Sequence, residues 1–257
     1  DRMSFMRFLG INLCEKVPDA KTIWKFKNDL AETETVDKLF CMFDEHLEKE
    51  GLISHKGTIV DATFVDAPRQ RNSRDENKKI KNGEIPEEWE KPENKSKLAQ
   101  KDIDADWTKK NGERHFGYKD HVKCDADSKL ITNYSVTSAS VHDSQRCLVF
   151  IGQEDKVLYA DSAYSGKPIA LALPDSCENQ ICEKGYRNSP LTSEQKMNNR
   201  RKSRIRCRIE HIFGFMTGAM HGITIRSIGI TRAWMNIGIT NLVYNFCRYS
   251  YLKRASA

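Results

Sequence analysis

Thr58-Ile59-Val60-Asp61-Ala62-Thr63-Phe64-Val65 is a run of β-branched and apolar residues with one acid at its centre. Such a composition reads as a β-strand, entered at Gly57. An ionised carboxylate inside an apolar strand is costly to bury unless a hydrogen-bond donor, a basic side chain or a bound cation compensates it. The chain must therefore build a sheet around Asp61 and provide that partner. Its 257 residues, 39% hydrophobic, suffice for one large core or a core with a small appendage.

On the N-terminal side the pattern is helical. Asp1-Arg2-Met3-Ser4-Phe5-Met6-Arg7-Phe8-Leu9 reads as the interior of a helix without a start signal, so residues 1–56 are expected to be the remnant of a larger helical domain. Pro18-Asp19 starts a further helix with Asp19 or Thr22 as cap, and Ile23, Trp24, Phe26 and Leu30 supply its apolar side chains. Val36, Leu39, Phe40, Phe43 and Leu47 recur at three- and four-residue steps, with Gly51 as the stop.

After the Asp61 strand the composition breaks. About half the residues from Arg69 to Asn111 are charged, a mix that cannot fold by its own burial, so 69–112 reads as a solvated insertion anchored only by Trp89 and Trp107. Order returns at His115. Alternation there places His115, Lys119, His121 and Lys123 on one face of a strand and Phe116, Tyr118, Val122 and Cys124 on the other. Asp125–Ser128 turns the chain, and Leu130–Thr137 returns to complete a hairpin beside the Asp61 strand.

Lys156–Asp161 forms a short apolar strand ending in an acid, Ile169–Leu173 a helix, and Gln180–Cys182 an edge strand. Helices from Lys196 to Met216 and from Arg232 to Tyr251 close the chain. The expected fold class is α/β, a mixed central sheet flanked by helices over residues 57–257.

Asp61 and Asp161 each have a plain alternative reading as hydrogen-bonded structural carboxylates. Glu210 adds a third acid. It stands beside the apolar stripe Ile205, Ile209, Ile212, Phe213 and Met216, one turn from Arg206, and a surface ion pair is its plain reading. Lys196, Arg200, Arg201, Lys202, Arg204, Arg206 and Arg208 crowd the same segment in a chain whose net charge is +6. Such a run usually means a solvated face, but this one exceeds what solubility needs and ends at an isolated acid, which suggests phosphate binding next to a metal ligand. Three carboxylates of this kind suit two divalent cations acting on a phosphodiester.

The words around these acids resemble those of DDE transposases of the bacterial insertion-sequence-five group (IS4/IS5-like). The similarity lies in Gly57–Pro68, His115-Phe116-Gly117-Tyr118-Lys119, Val141-His142-Asp143, Tyr159–Gly166 and Arg206–Gly214, in the family's order. The resemblance implies an RNase H-like fold with Asp61, Asp161 and Glu210 as catalytic and metal-binding triad. The implied cofactor is two Mg²⁺ ions, with Mn²⁺ as substitute. It further implies cut-and-paste transposition, in which donor DNA is cut at the element's ends and the freed 3′-OH attacks target DNA. DNA contacts would then fall to Arg200, Arg201, Lys202, Arg204, Arg206 and Arg208, with Lys119, His121 and His142 near the active site. A Tyr-x-x-Arg-x-x-x-Glu-x-x-x-x-x-x-Lys pattern of related enzymes is kept at Arg206 and Glu210 but broken by Ser203 and Thr217.

The partners implied are double-stranded DNA, terminal repeats and target, and a second copy of the chain on paired ends. The competing readings are a truncated or domesticated DNA-binding protein without catalysis and an RNase H-like nuclease acting on other substrates. Eight scattered cysteines without zinc-site spacing, and the lack of any long apolar run, lead to the expectation of a cytoplasmic protein with reduced thiols and no membrane partner.

Overall fold

The computed structural model describes residues 3–12, 14–110 and 112–255. Helix α1 (Met3–Leu9) covers the described part of the opening helical segment; Asp1 and Arg2 lie outside the described residues. Helices α2 (Ala20–Glu32) and α3 (Thr35–Lys49) follow. Asp19, not Thr22, caps α2 by accepting from the Thr22 N–H at 2.7 Å. Gly51 leaves α3 with φ +66°, the left-handed conformation that favours glycine.

Strand β1 (Thr58–Asp66) takes up the Asp61 run. The charged segment is not the extended solvated loop its composition predicts. It holds short helices α4 (Arg74–Lys81), α5 (Glu87–Glu90) and α6 (Lys95–Leu98) and strand β2 (Asp106–Lys110). Polar contacts to a few buried anchors do what apolar area could not. Trp89 is fully buried and donates from Nε1 to Glu76 at 2.7 Å. Asp102 accepts from the Tyr118 hydroxyl at 2.8 Å, and Asp104 accepts from the Ile230 N–H at 2.8 Å.

Strands β3 (Glu113–Asp125) and β4 (Ile131–Ser138) form the expected hairpin. Helix α7 (Ser144–Phe150), strand β5 (Val157–Ala160), helix α8 (Lys167–Ala172) and the short strand β6 (Glu178–Asn179) come next. The edge strand thus starts two residues before the expected Gln180, although the Gln180 and Cys182 N–H groups still bond to β5 carbonyls at 2.9 and 3.0 Å. The basic segment divides at Cys207 into α9 (Ser193–Arg206) and α10 (Arg208–Gly218). Helix α11 (Ile230–Ala255) closes the chain.

The six-stranded sheet is mixed. β3 pairs antiparallel with β1 on one side and with β2 and β4 on the other, while β5 runs parallel to β1 and β6 parallel to β5. An antiparallel hairpin continued by parallel strands, with helices on both faces, is the RNase H-like arrangement implied by the resemblance.

Residues directly opposite in an antiparallel pair point to the same face. Asp61 stands opposite Val122 and therefore shares the face of Ile59, Val65, Tyr118 and Val122. That face buries the large core against Ile209, Ile212 and Met216 of α10 and Ile237 of α11. The opposite face packs Val60 and Leu158 against Cys147 and Phe150 of α7 and Ile169 of α8. All eight cysteines are free thiols. Among the described residues no helix is long and apolar enough to cross a membrane.

Candidate active site

Asp61 is carried on the core face of β1, with 16% of its side chain exposed. Its Oδ1 accepts from the Ala62 N–H at 2.8 Å. Its Oδ2 accepts from Arg206 Nη1 at 3.0 Å, and Arg206 Nη2 donates to Glu210 Oε1 at 2.8 Å. The sequence arranges this locally. Apolar residues at 205, 209, 212 and 216 press α9 and α10 onto the Asp61 face, and the i, i+4 spacing lines Glu210 up with Arg206. One guanidinium thus clasps two carboxylates from remote parts of the chain.

Asp161 joins them from the end of β5. The parallel pairing of Val60 with Ala160 brings the residue after Ala160 level with Asp61. Asp161 Oδ1 accepts from the Ser162 N–H and caps the short turn of 3₁₀ helix over Ser162–Tyr164. Its charge is felt by both Asp61 and Arg206. The three acids therefore lie in one electrostatic neighbourhood.

Burial raises the pKa of Asp61, opposed by the Ala62 N–H, Arg206 and Lys110, while Asp161 adds to the rise. For Arg206, burial pulls the value down but the attraction of Asp61 and Glu210 outweighs it, so the net shift is upward. A desolvated carboxylate next to two others is a set of hard oxygen donors that calls for positive charge, and that chemistry fits a divalent cation. Among the described residues no three acidic, histidine or cysteine side chains are gathered tightly enough to hold a metal ion. Arg206 instead holds Asp61 and Glu210 on separate nitrogens.

The basic residues divide into two groups. Arg200, Arg201 and Arg204 are exposed on α9, and among the described residues no ion pair ties them. Lys202 instead donates to the Ile181 carbonyl at 2.9 Å, and Arg208 to the Ala126 carbonyl at 2.7 Å and Asp127 at 3.2 Å. These two brace the helices against the sheet.

The β3 residues expected beside the acids lie elsewhere. Lys119 and His121 stand opposite Phe64 and Ala62, on the other face of the sheet from Asp61. Lys119 is buried against Asp143 and the Val141 carbonyl, both at 2.7 Å. His121 has no exposed surface, meets Thr137 at 2.8 Å, and is pushed by burial to a pKa of about 4. A neutral, enclosed imidazole and an ammonium already paired have no surface to offer a DNA phosphate. His142 is exposed, with Nδ1 2.8 Å from the Ser144 hydroxyl.

Two neighbours escaped the sequence reading. Lys110, at the end of β2, acts on Asp61 electrostatically, though composition consigned it to the solvated insertion. Tyr164 is fully buried, and its hydroxyl has no hydrogen-bond partner among the described residues. Burial raises its pKa well above the ordinary value, with Asp61, Asp143 and Asp161 adding to the effect. Its place inside the Tyr159–Gly166 word was the available signal. At the two departures from the related pattern, the Ser203 hydroxyl lies 3.8 Å from Cys182 Sγ and the Thr217 hydroxyl donates to the Phe213 carbonyl at 2.9 Å.

Two family models and one solved structure are similar to this chain. A family described as Transposase DDE domain matches residues 53–246, and one described as Transposase domain (DUF772) matches residues 1–29. A solved structure described as a cryo-EM structure of piggyBac transposase synaptic complex with hairpin DNA is similar at 8% identity and a TM-score of 0.39. The similarity covers 77% of this chain and 48% of that one, so the chain spans about half the length of that relative. Since the first of these matches takes in most of the chain, including Asp61, Asp161 and Glu210, the chain belongs to the DDE transposase domain family.

Proposed function

We propose that this chain cuts DNA strands at the ends of an insertion sequence and joins the freed 3′ ends to target DNA in cut-and-paste transposition. Asp61, Asp161 and Glu210 are its catalytic acids and would hold two Mg²⁺ ions, with Mn²⁺ as substitute. Such ions would activate the attacking hydroxyl and neutralise the leaving 3′ oxygen. The observation that carries this reading is the Arg206 bridge, which brings Asp61 and Glu210 to opposite sides of one guanidinium at 3.0 and 2.8 Å.

In this reading Arg206 keeps the acids from repelling one another. Glu210 is the freer of its two partners, with 57% of its side chain exposed. Asp61 is fixed by the Ala62 N–H and buried on the strand. Arg200, Arg201 and Arg204 bind phosphates along α9, and His142 contributes from the loop before α7. Lys110 adds positive charge near Asp61. Two copies of the chain work on paired element ends, in the cytoplasm.

The test is strand cleavage and strand transfer with the full chain and Mg²⁺ or Mn²⁺, compared between wild type and Asp161→Asn. Asp161 is exposed, so its substitution spares the core. Loss of nicking in the variant is expected, together with joining of a pre-cut 3′-OH end to a plasmid by the wild type. Equal nicking by both proteins would end the reading. Nicking without joining would leave a nuclease instead of a transposase.

A further inference from the structure

We infer that the open cavity beside the Asp161 loop receives an unpaired nucleotide of the DNA substrate, stacked on Tyr186; the inference rests on the transposase reading above. The cavity measures about 650 Å³ and is lined by Ser165, Gly166 and Lys167 on one side and by Lys184, Tyr186 and Lys202 on the other. Its walls are extensions of the elements that carry the acids. Ser165 and Gly166 follow directly on the turn capped by Asp161, and the Ser165 hydroxyl is tied back to the Ser162 carbonyl at 2.6 Å. Lys202 sits one helical turn before Arg206, which touches Asp61. A strand bound at the acids therefore meets this cavity as the adjoining space.

Its chemistry fits a nucleotide. Tyr186 leaves 63% of its surface exposed. The ring does not hang on a loose loop. Tyr186 and Ser189 exchange both backbone hydrogen bonds, at 3.0 and 3.1 Å, so a tight turn fixes its base. Lys184 Nζ lies 6.0 Å from the ring centroid, and Lys167 stands on the facing wall. The acid of the cavity, Glu183, is 3.8 Å from Lys202, which leaves Lys167 and Lys184 to meet a phosphate. A fixed aromatic face flanked by ammonium groups is how proteins hold single-stranded nucleic acid without reading its sequence. A base inside a duplex has both faces covered by its stacked neighbours, so the site favours an unpaired nucleotide.

The test uses the full chain and two labelled DNA molecules, a blunt duplex and the same duplex with a short 3′ overhang carrying 2-aminopurine. Wild type is expected to bind the overhang about tenfold more tightly, within the range a stacked base supplies. It should also quench 2-aminopurine fluorescence. Tyr186→Ala should lose both effects and Tyr186→Phe keep both, with thermal midpoints alike because the ring is mostly exposed. A wild type that binds both molecules equally, or a Tyr186→Ala protein that still quenches, overturns the cavity assignment while leaving the transposase reading intact. A wild type that binds neither molecule overturns the transposase reading itself.

Discussion

Arg206 and Asp61 meet at 3.0 Å across 145 positions of chain, and the contact joins helix α9 to the core face of the first strand. It is the main positive partner of a carboxylate that would otherwise be buried without one. Arg206→Ala should therefore destabilise the fold by about 1–3 kcal/mol at neutral pH, the range for leaving a largely buried charged group unpaired. Urea unfolding measures it. The sign with pH is informative. Burial already raises Asp61 in the folded state, and loss of Arg206 raises it further. A raised carboxyl holds its proton longer when folded, so stability falls as pH rises from the ordinary carboxylate value through the folded one. The deficit of the variant should shrink as pH is lowered through that window.

Asp120 offers a second pH dependence, on the core face of β3 opposite Thr63. It is fully buried on β3, with burial raising its pKa to about 7 against the one opposing contact, from Asn241 Nδ2 at 3.2 Å. Asp120 Oδ2 and Asn241 Oδ1 are both buried without partners among the described residues. A proton on Asp120 supplies the donor that this pair lacks. Wild-type stability should decline between about pH 4 and pH 7 as that proton is lost, and Asp120→Asn should flatten the decline. Urea midpoints across that range check it; parallel curves for the two proteins would refute the assignment.

Trp89 holds the charged segment together through Glu76. The Ser73 N–H, then Trp89 and Lys97, hold the Glu76 carboxyl at about 2. Trp89→Ala should cost this segment about 3–5 kcal/mol, enough to open it locally while the sheet persists. Limited proteolysis should then cut first between residues 70 and 104, where the wild type resists. Because the Glu76 value is depressed, its contribution is present above the ordinary carboxylate pKa and lost as pH falls toward 2.

Gly117 admits no side chain. Its φ is +146°, and an added Cβ would press on the Val65 carbonyl oxygen and come within 2.7 Å of the Ala67 nitrogen. Both belong to the chain paired with β3, so Gly117→Ala should force β1 and β3 apart at that end. A fall in melting temperature of several degrees is the expected reading.

The exposed arginines of α9 should act on DNA without regard to sequence. Replacing Arg200, Arg201 and Arg204 by alanine should weaken duplex binding. Each lost phosphate contact should lower the slope of log K against log salt by about 1. Fluorescence anisotropy at several salt concentrations measures both.

Much of the fold follows from local pattern. The β-branched run around Asp61, the alternation along Phe116–Cys124 and the three- and four-residue stripes of α3 and α10 each specify their element, because period and side-chain shape act within a few residues. The words around Asp61, Asp161 and Glu210 are likewise local, and they are what marks these three as candidate acids. What no local pattern contains is the pairing of elements. Lys119 and His121 looked close to Asp61, yet the register that sets Asp61 opposite Val122 turns them to the far face. A slip of one residue would have reversed that outcome, and only burial of the whole core face decides against it. The charged segment is similar: Glu76, Trp89, Asp102 and Asp104 find partners far along the chain, so its order arises from tertiary contacts that composition does not record.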